Sequence, residues 1–188
     1  LWGQADQLAR LVKTWRLPDP GLRPADIRVP AAPGGEEDED AHSVEALDRM
    51  GNLMLKTLLE CCDDQTAVHV SLAGGRKTMS YLAGLALSLV GRAQDRLSHV
   101  VLSDSRFERC KAFYFPPRPA ATLDLDTLDR ASGKPLRLST KGVQVNIVDV
   151  VFVRLRELLG EGMVAEFDNS QPLTALAKDA NAAMFEPD

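Results

Sequence analysis

The densest chemistry in this 188-residue chain lies at Gly74-Gly75-Arg76-Lys77-Thr78. Two glycines let the main chain come close to a ligand, because neither carries a Cβ. Two cations follow at once, and Thr78 adds a hydroxyl donor. The run Met79 to Val90 that comes next reads as a helix apolar on nearly every side, closed by Gly91. The first-turn N–H groups of a helix lack intrahelical acceptors and, with the helix dipole, attract anions. Basic residues in that turn oppose the dipole, so they need a compensating reason, and a bound phosphate is the simplest one. The loop is not a Walker A motif. Arg76 separates Gly75 from Lys77, and Val70 stands where the motif needs its first glycine.

Other candidates carry weaker signals. Ser71 stands near the ligand-binding end of its strand, where it either donates to a phosphate or packs under a helix. His69 and His99 read as satisfied sheet histidines. Arg92 and His99 match a loose Arg-x6-His pattern of metal-independent ribonucleases, but they run from a loop into a strand, whereas those enzymes place the pair on a helix. No metal-ligand spacing and no Ser-His-Asp set stands out, so no metal and no cofactor is expected. Chemistry here would rest on positioning and cations. A nucleotide-dependent transferase would need Mg²⁺ and a carboxylate near Lys77, for which Asp104 and Asp149 at strand ends are the candidates. Arg106 and Phe107 follow a strand end, where they could meet a base.

The elements that position these residues follow from hydrophobic periodicity. Residues 1–16 are helical until Pro18, and Asp26 to Val29 is a short strand candidate. Pro30 to Asp40, with its Glu-Glu-Asp-Glu-Asp run, is a solvated loop. A helix from Ser43 carries Leu47, Met50, Met54, Leu55, Leu58 and Leu59 on one stripe. Ala67 to Leu72 and Leu97 to Ser103 read as strands flanking the turn and its helix. That is a βαβ crossover and implies a parallel sheet with helices on both faces. Residues 118–135 form a polar excursion, Val143 to Val148 a strand, Val151 to Leu159 a helix, and Gln171 to Met184 a peripheral helix. In such a sheet, ligands bind beyond the C-terminal strand ends, where the Gly74 turn falls.

Composition bounds the rest. With 45% hydrophobic and 26% charged residues the chain has enough apolar content for a core and is not disordered as a whole. The longest apolar run, Met79 to Val90, is too short for a membrane span. A net charge of −5 gives no overall basic field for long DNA or RNA. Cys61, Cys62 and Cys110 lack metal-ligand spacing and read as free thiols in a cytoplasmic protein.

The stretch Val68 to Met79, with Leu85 to Leu102 after it, resembles the CARF (CRISPR-associated Rossmann fold) proteins. It is most similar to a compact, stand-alone branch related to type III ancillary nucleases. Phe107-Glu108, Phe113 to Pro117 and Val151 to Arg156 also fit that branch. The resemblance covers most of residues 1–159 and is most specific from 67 to 117. It implies an α/β, Rossmann-like, mostly parallel sheet with helices on both faces. By this reading residues 1–160 form the domain, with an acidic loop at 30–42 and an excursion at 118–142, and residues 161–188 are a C-terminal helical extension. The family begins with a further strand and polar turn that contact the ligand. The chain opens at Leu1 without them, so the reading expects that strand to come from preceding sequence or from another segment.

The resemblance also implies a function. Such proteins are homodimers that bind cyclic oligoadenylate across their two-fold axis. Some only sense this messenger, whereas others, the ring nucleases, cut it. Carried over to this chain, Gly74 to Thr78 is the phosphate-gripping loop and Lys77 the functionally important lysine. The expectation is a metal-independent ring nuclease, with Lys77 and Arg76 catalytic and Ser71, Gly74, Gly75 and Thr78 binding the ligand. The alternative is a non-catalytic sensor that regulates a separate partner.

Overall fold

The computed structural model describes residues 5–35, 43–62, 65–73, 76–129, 132–158 and 172–185. The chain divides into two compact units, one of Leu1–Ile27 with Val100–Ile147 and one of Arg28–His99 with Val148–Asp188. Strands β2 (Arg96–Leu102) and β5 (Val145–Asp149) each run through both.

The second unit holds the crossover. Ser43 caps helix α2 (Val44–Cys61), accepting the Ala46 N–H on its Oγ. Strand β1 (His69–Ser71) leads into helix α3 (Lys77–Val90), and α3 returns to β2. β1 and β2 pair in parallel, His69 beside Arg96 and Ser71 beside Ser98. This is the βαβ arrangement expected from the alternating valines and the apolar helix between them. The sheet order is β1-β2-β5. Val150 N–H donates to Leu97 C=O, whereas Ser103 N–H donates to Gln144 C=O. Partner numbers fall along β5 as they rise along β2, so β5 runs antiparallel and the Rossmann-like α/β sheet is mixed, as is common at an edge.

Helices α2, α3 and α4 (Leu173–Phe185) share one core with the strands, centred on Leu55, Leu58, Ala86, Leu87, Leu89, Val90 and Leu97. Gly51 makes their close approach possible, since a Cβ there would stand 3.0 Å from Leu173 Cδ2 and 3.4 Å from Leu82 Cδ2. Helix α4 is not peripheral. Leu173, Leu176 and Ala180 are buried in that core, and Asn52 Oδ1 accepts the Leu173 N–H at 2.7 Å. Alanines lie around most of this helix, so its sequence pattern marks no single buried face.

A buried ion pair fixes the floor of the crossover. Asp95, fully buried, accepts N–H bonds from Val68 (2.8 Å), from the Arg92 backbone (2.8 Å) and from the Arg92 guanidinium (2.9 and 3.1 Å). Burial alone would push this carboxyl up, but the bonds from Arg92 and Val68 outweigh it and hold the group below the usual carboxylate range. Arg154 closes the same loop by donating to the carbonyls of Arg92 and Asp95.

Helix α1 (Ala5–Trp15) ends as expected before Pro18, and the terminus is a Schellman motif. Leu17 N–H donates to Val12 C=O at 3.0 Å and Arg16 N–H to Lys13 C=O at 3.4 Å. Arg16 occupies the left-handed position, φ 52°, where glycine fits without strain. A β-carbon there costs roughly 1–2 kcal/mol.

Three expectations are corrected. Residues 26–29 do not form a strand; Pro24–Asp26 is a 3-10 turn in which Asp26 accepts from the Arg23 backbone and guanidinium. The polar excursion is a hairpin, β3 (Thr122–Leu128) antiparallel to β4 (Pro135–Ser139), closed by Thr140, whose hydroxyl bonds both the N–H and C=O of Ala121. The alternation of Leu123 and Leu125 against charged neighbours is the sequence signal of this hairpin. Phe107, Cys110 and Leu125 make its small core. Finally, Val151 to Leu155 is not helical; a helical turn begins only at Arg156. The cysteines are free, Cys61 exposed and Cys110 buried, and burial pushes the Cys62 thiol up. Among the described residues no helix is long and apolar enough to cross a membrane.

Candidate functional site

The site lies where β1 ends and α3 begins. The last residue of β1 is Ser71, exposed, and its Oγ accepts the Ala73 N–H at 3.2 Å. That bond uses a lone pair and leaves the hydroxyl proton for a ligand. Gly74 and Gly75 lie outside the described residues. Arg76 is the N-cap of α3, with extended backbone and no side-chain cap bond. The helix therefore starts two residues earlier than Met79, and Lys77 and Thr78 are its first helical residues.

All three of Arg76, Lys77 and Thr78 are exposed. The first turn contains no acidic residue, and Lys77 stands at the positive end of the helix dipole. Tyr81, one turn beyond Lys77, is exposed as well. The start of α3 is thus exposed at Arg76, Lys77, Thr78 and Tyr81, whereas Leu82 packs against the core and Ala86, Leu87, Leu89 and Val90 are buried. Apolar composition alone did not distinguish these positions.

Ser80 was missed. Its hydroxyl donates to Leu72 C=O at 3.2 Å, and its N–H donates to Arg76 C=O at 3.2 Å. These bonds tie the helix start to the strand end and hold the turn between them. A serine four residues after a β-strand's cationic turn was a legible signal, since a Ser in a helix's first turn commonly bonds a nearby backbone group.

His69 and the two candidate carboxylates each have a partner. His69 Nε2 lies 2.7 Å from Ser98 Oγ, a cross-strand bond that satisfies buried Ser98. Arg92 belongs to the Asp95 pair and is not poised with His99 for catalysis. Asp149 is held by Arg96 at 2.6 Å and stands on β5, two strands from β1, which is about 10 Å across the sheet. Asp104 caps a 3-10 turn, and the Arg106 side-chain bond beside it holds its carboxyl below the usual range. Asp149 is thus not offered to a metal beside Lys77. The group assembled here is a cationic, hydroxyl-bearing helix start, suited to a phosphate.

A family model described as CRISPR-associated protein NE0113 matches residues 6–181. The chain belongs to this CRISPR-associated family. The match runs through both units of the NE0113-family chain and includes the β1–α3 turn. No curated protein and no solved structure matches it.

Proposed function

We propose that this CRISPR-associated protein binds cyclic oligoadenylate at the β1–α3 turn and opens the ring without a metal, as a CARF-type ring nuclease. The observation that carries the reading is the exposed Arg76-Lys77-Thr78 start of α3, directly beyond the end of a parallel strand. Membership in a CRISPR-associated family supports the substrate class.

RNA carries its own nucleophile. A ribose 2′-oxygen held in line with the adjacent phosphorus and the departing 5′-oxygen gains rate from orientation alone. The new bond joins O2′ to phosphorus and the bond from phosphorus to O5′ breaks. The 2′-hydroxyl releases a proton and the 5′-oxygen takes one up, so the product is a linear strand ending in a 2′,3′-cyclic phosphate. Lys77 and Arg76 stabilise the charge that grows on the phosphorane oxygens, and the α3 amides add fixed donors. Ser71 and Thr78 hold a neighbouring phosphate, and Gly74 and Gly75 admit the ring closely. A homodimer supplies two copies of the turn to a ligand of matching symmetry.

The test is Lys77→Ala, assayed with labelled cyclic oligoadenylate. The variant should bind at least about tenfold more weakly, as loss of a charge-assisted bond implies, and form no linear product. Cleavage at the wild-type rate by that variant would overturn the assignment. Tight binding by the wild type without cleavage would make the protein a sensor instead.

A further inference from the structure

Ring opening leaves one proton without a destination, that of the attacking 2′-hydroxyl. The ammonium of Lys77 and the guanidinium of Arg76 are donors with no acceptor to offer. The aliphatic hydroxyls of Ser71 and Thr78 are too weakly basic to take it. A group that does so must stand within hydrogen-bond reach of the reacting ribose, directly or through one water.

Strand β1 carries such a group. Val68, Val70 and Leu72 pack against the helical core, so His69 and Ser71 between them project from the opposite face of the sheet. Both are exposed. One strand repeat separates them, about 6.6 Å, so His69 stands just behind the hydroxyl assigned to a phosphate.

Strand β2 supports the pair from the side. Ser98 is the register partner of Ser71, and its Oγ lies 2.7 Å from His69 Nε2. Ser98 is buried, so the contact lies beneath an imidazole that is itself exposed. It engages one ring nitrogen. His69 has no other hydrogen-bond partner among the described residues, which leaves Nδ1 for a ligand. The charged groups beside it on the neighbouring strands are Arg96, its register partner on β2, and Asp149 on β5, and these two bond each other at 2.6 Å.

We propose that His69 is the general base of the ring opening, an inference that rests on the ring-nuclease reading of the β1–α3 turn. In the tautomer that donates Nε2–H to Ser98 Oγ, Nδ1 carries the lone pair. Nδ1 takes the proton from the 2′-hydroxyl as O2′ bonds to phosphorus and the bond from phosphorus to O5′ breaks. The departing 5′-oxygen takes a proton from solvent, and the imidazolium later returns its own to solvent. Ser98 is a positioning residue, since it fixes the ring and its tautomer without touching the ligand.

The test is single-turnover cleavage of labelled cyclic tetra- and hexa-adenylate in EDTA from pH 5 to 8, with wild type, His69→Gln and His69→Ala. The wild-type rate rises with pH, because the base must be neutral to act. A glutamine amide replaces the contact with Ser98, so His69→Gln melts as wild type does and binds the rings nearly as tightly. Its cleavage is slower by about 100-fold or more, and the rise with pH is lost. Added imidazole restores part of the rate to His69→Ala, which a purely structural histidine would not allow. A wild-type rate flat from pH 5 to 8, wild-type cleavage by His69→Gln, or a variant that is slower but keeps the wild-type pH profile would each overturn the role of His69 and leave the ring-nuclease reading standing. Rings that the wild type binds and never opens would overturn that reading and this role with it.

Discussion

Asp95→Asn removes the charge at the centre of the crossover while keeping its shape. The wild-type carboxylate is fully buried and receives four N–H bonds, three from Arg92 and one from Val68 at the entrance to β1. The Arg92 side chain is only 10% exposed, so the guanidinium left behind cannot regain full hydration. The asparagine amide also turns two donors toward donors. Breaking one side of a buried pair costs about 3–5 kcal/mol. For a chain of this size that corresponds to a melting point lower by about 6–20 °C. The acid limb provides a second readout. Because the folded carboxyl lies below its unfolded value of about 3.9, its stabilisation is fully present at neutral pH. It is lost as pH falls through the depressed folded value. Wild type and variant should therefore differ most near neutrality and converge in acid, in thermal melts followed by circular dichroism. A loss under about 1 kcal/mol, or two curves parallel down to low pH, would refute the claim that this pair fixes the crossover.

Three further outcomes follow from the packing. Phe107→Ala should destabilise by about 3–5 kcal/mol, because its ring is buried at the centre of the hairpin's small core, and urea unfolding measures this. Gly91→Ala should cost about 1–3 kcal/mol in the same assay, since its Cβ would clash with the Leu87 carbonyl oxygen and meet Phe152 Cε2 at 3.2 Å. Ser80→Ala should lower affinity for cyclic oligoadenylate while lowering stability in urea by no more than about 1.5 kcal/mol, because one partly buried bond to Leu72 C=O is lost.

The crossover was legible because its signals are local and mutually consistent: alternating valines in β1, an apolar run for α3, Gly91 as its stop, and a second alternating strand. The place of Arg76, Lys77 and Thr78 at the start of α3 was legible for the same reason. What escaped depends on contacts distant in sequence. The Asp95 network joins Thr66, Val68, Arg92 and Arg154, and no periodicity announces it. The β3–β4 hairpin alternates, but its outward faces carry Asp124, Asp126 and Arg137, so polarity masked the pattern. Val151 to Leu155 has helical propensity in Leu155 and Arg156, yet Leu155 N–H is taken by Ser88 C=O and Phe152 packs against the main core, which holds the segment extended. Tertiary contacts outweighed propensity there.

The measurement that bears most directly on function is incubation of the purified protein with labelled cyclic tetra- and hexa-adenylate in EDTA, with products resolved by length and end group. Conversion to linear strands ending in a 2′,3′-cyclic phosphate, abolished by Lys77→Ala, is the predicted result. Intact rings, or products that form only when a divalent metal is added, would contradict metal-independent ring opening at the β1–α3 turn.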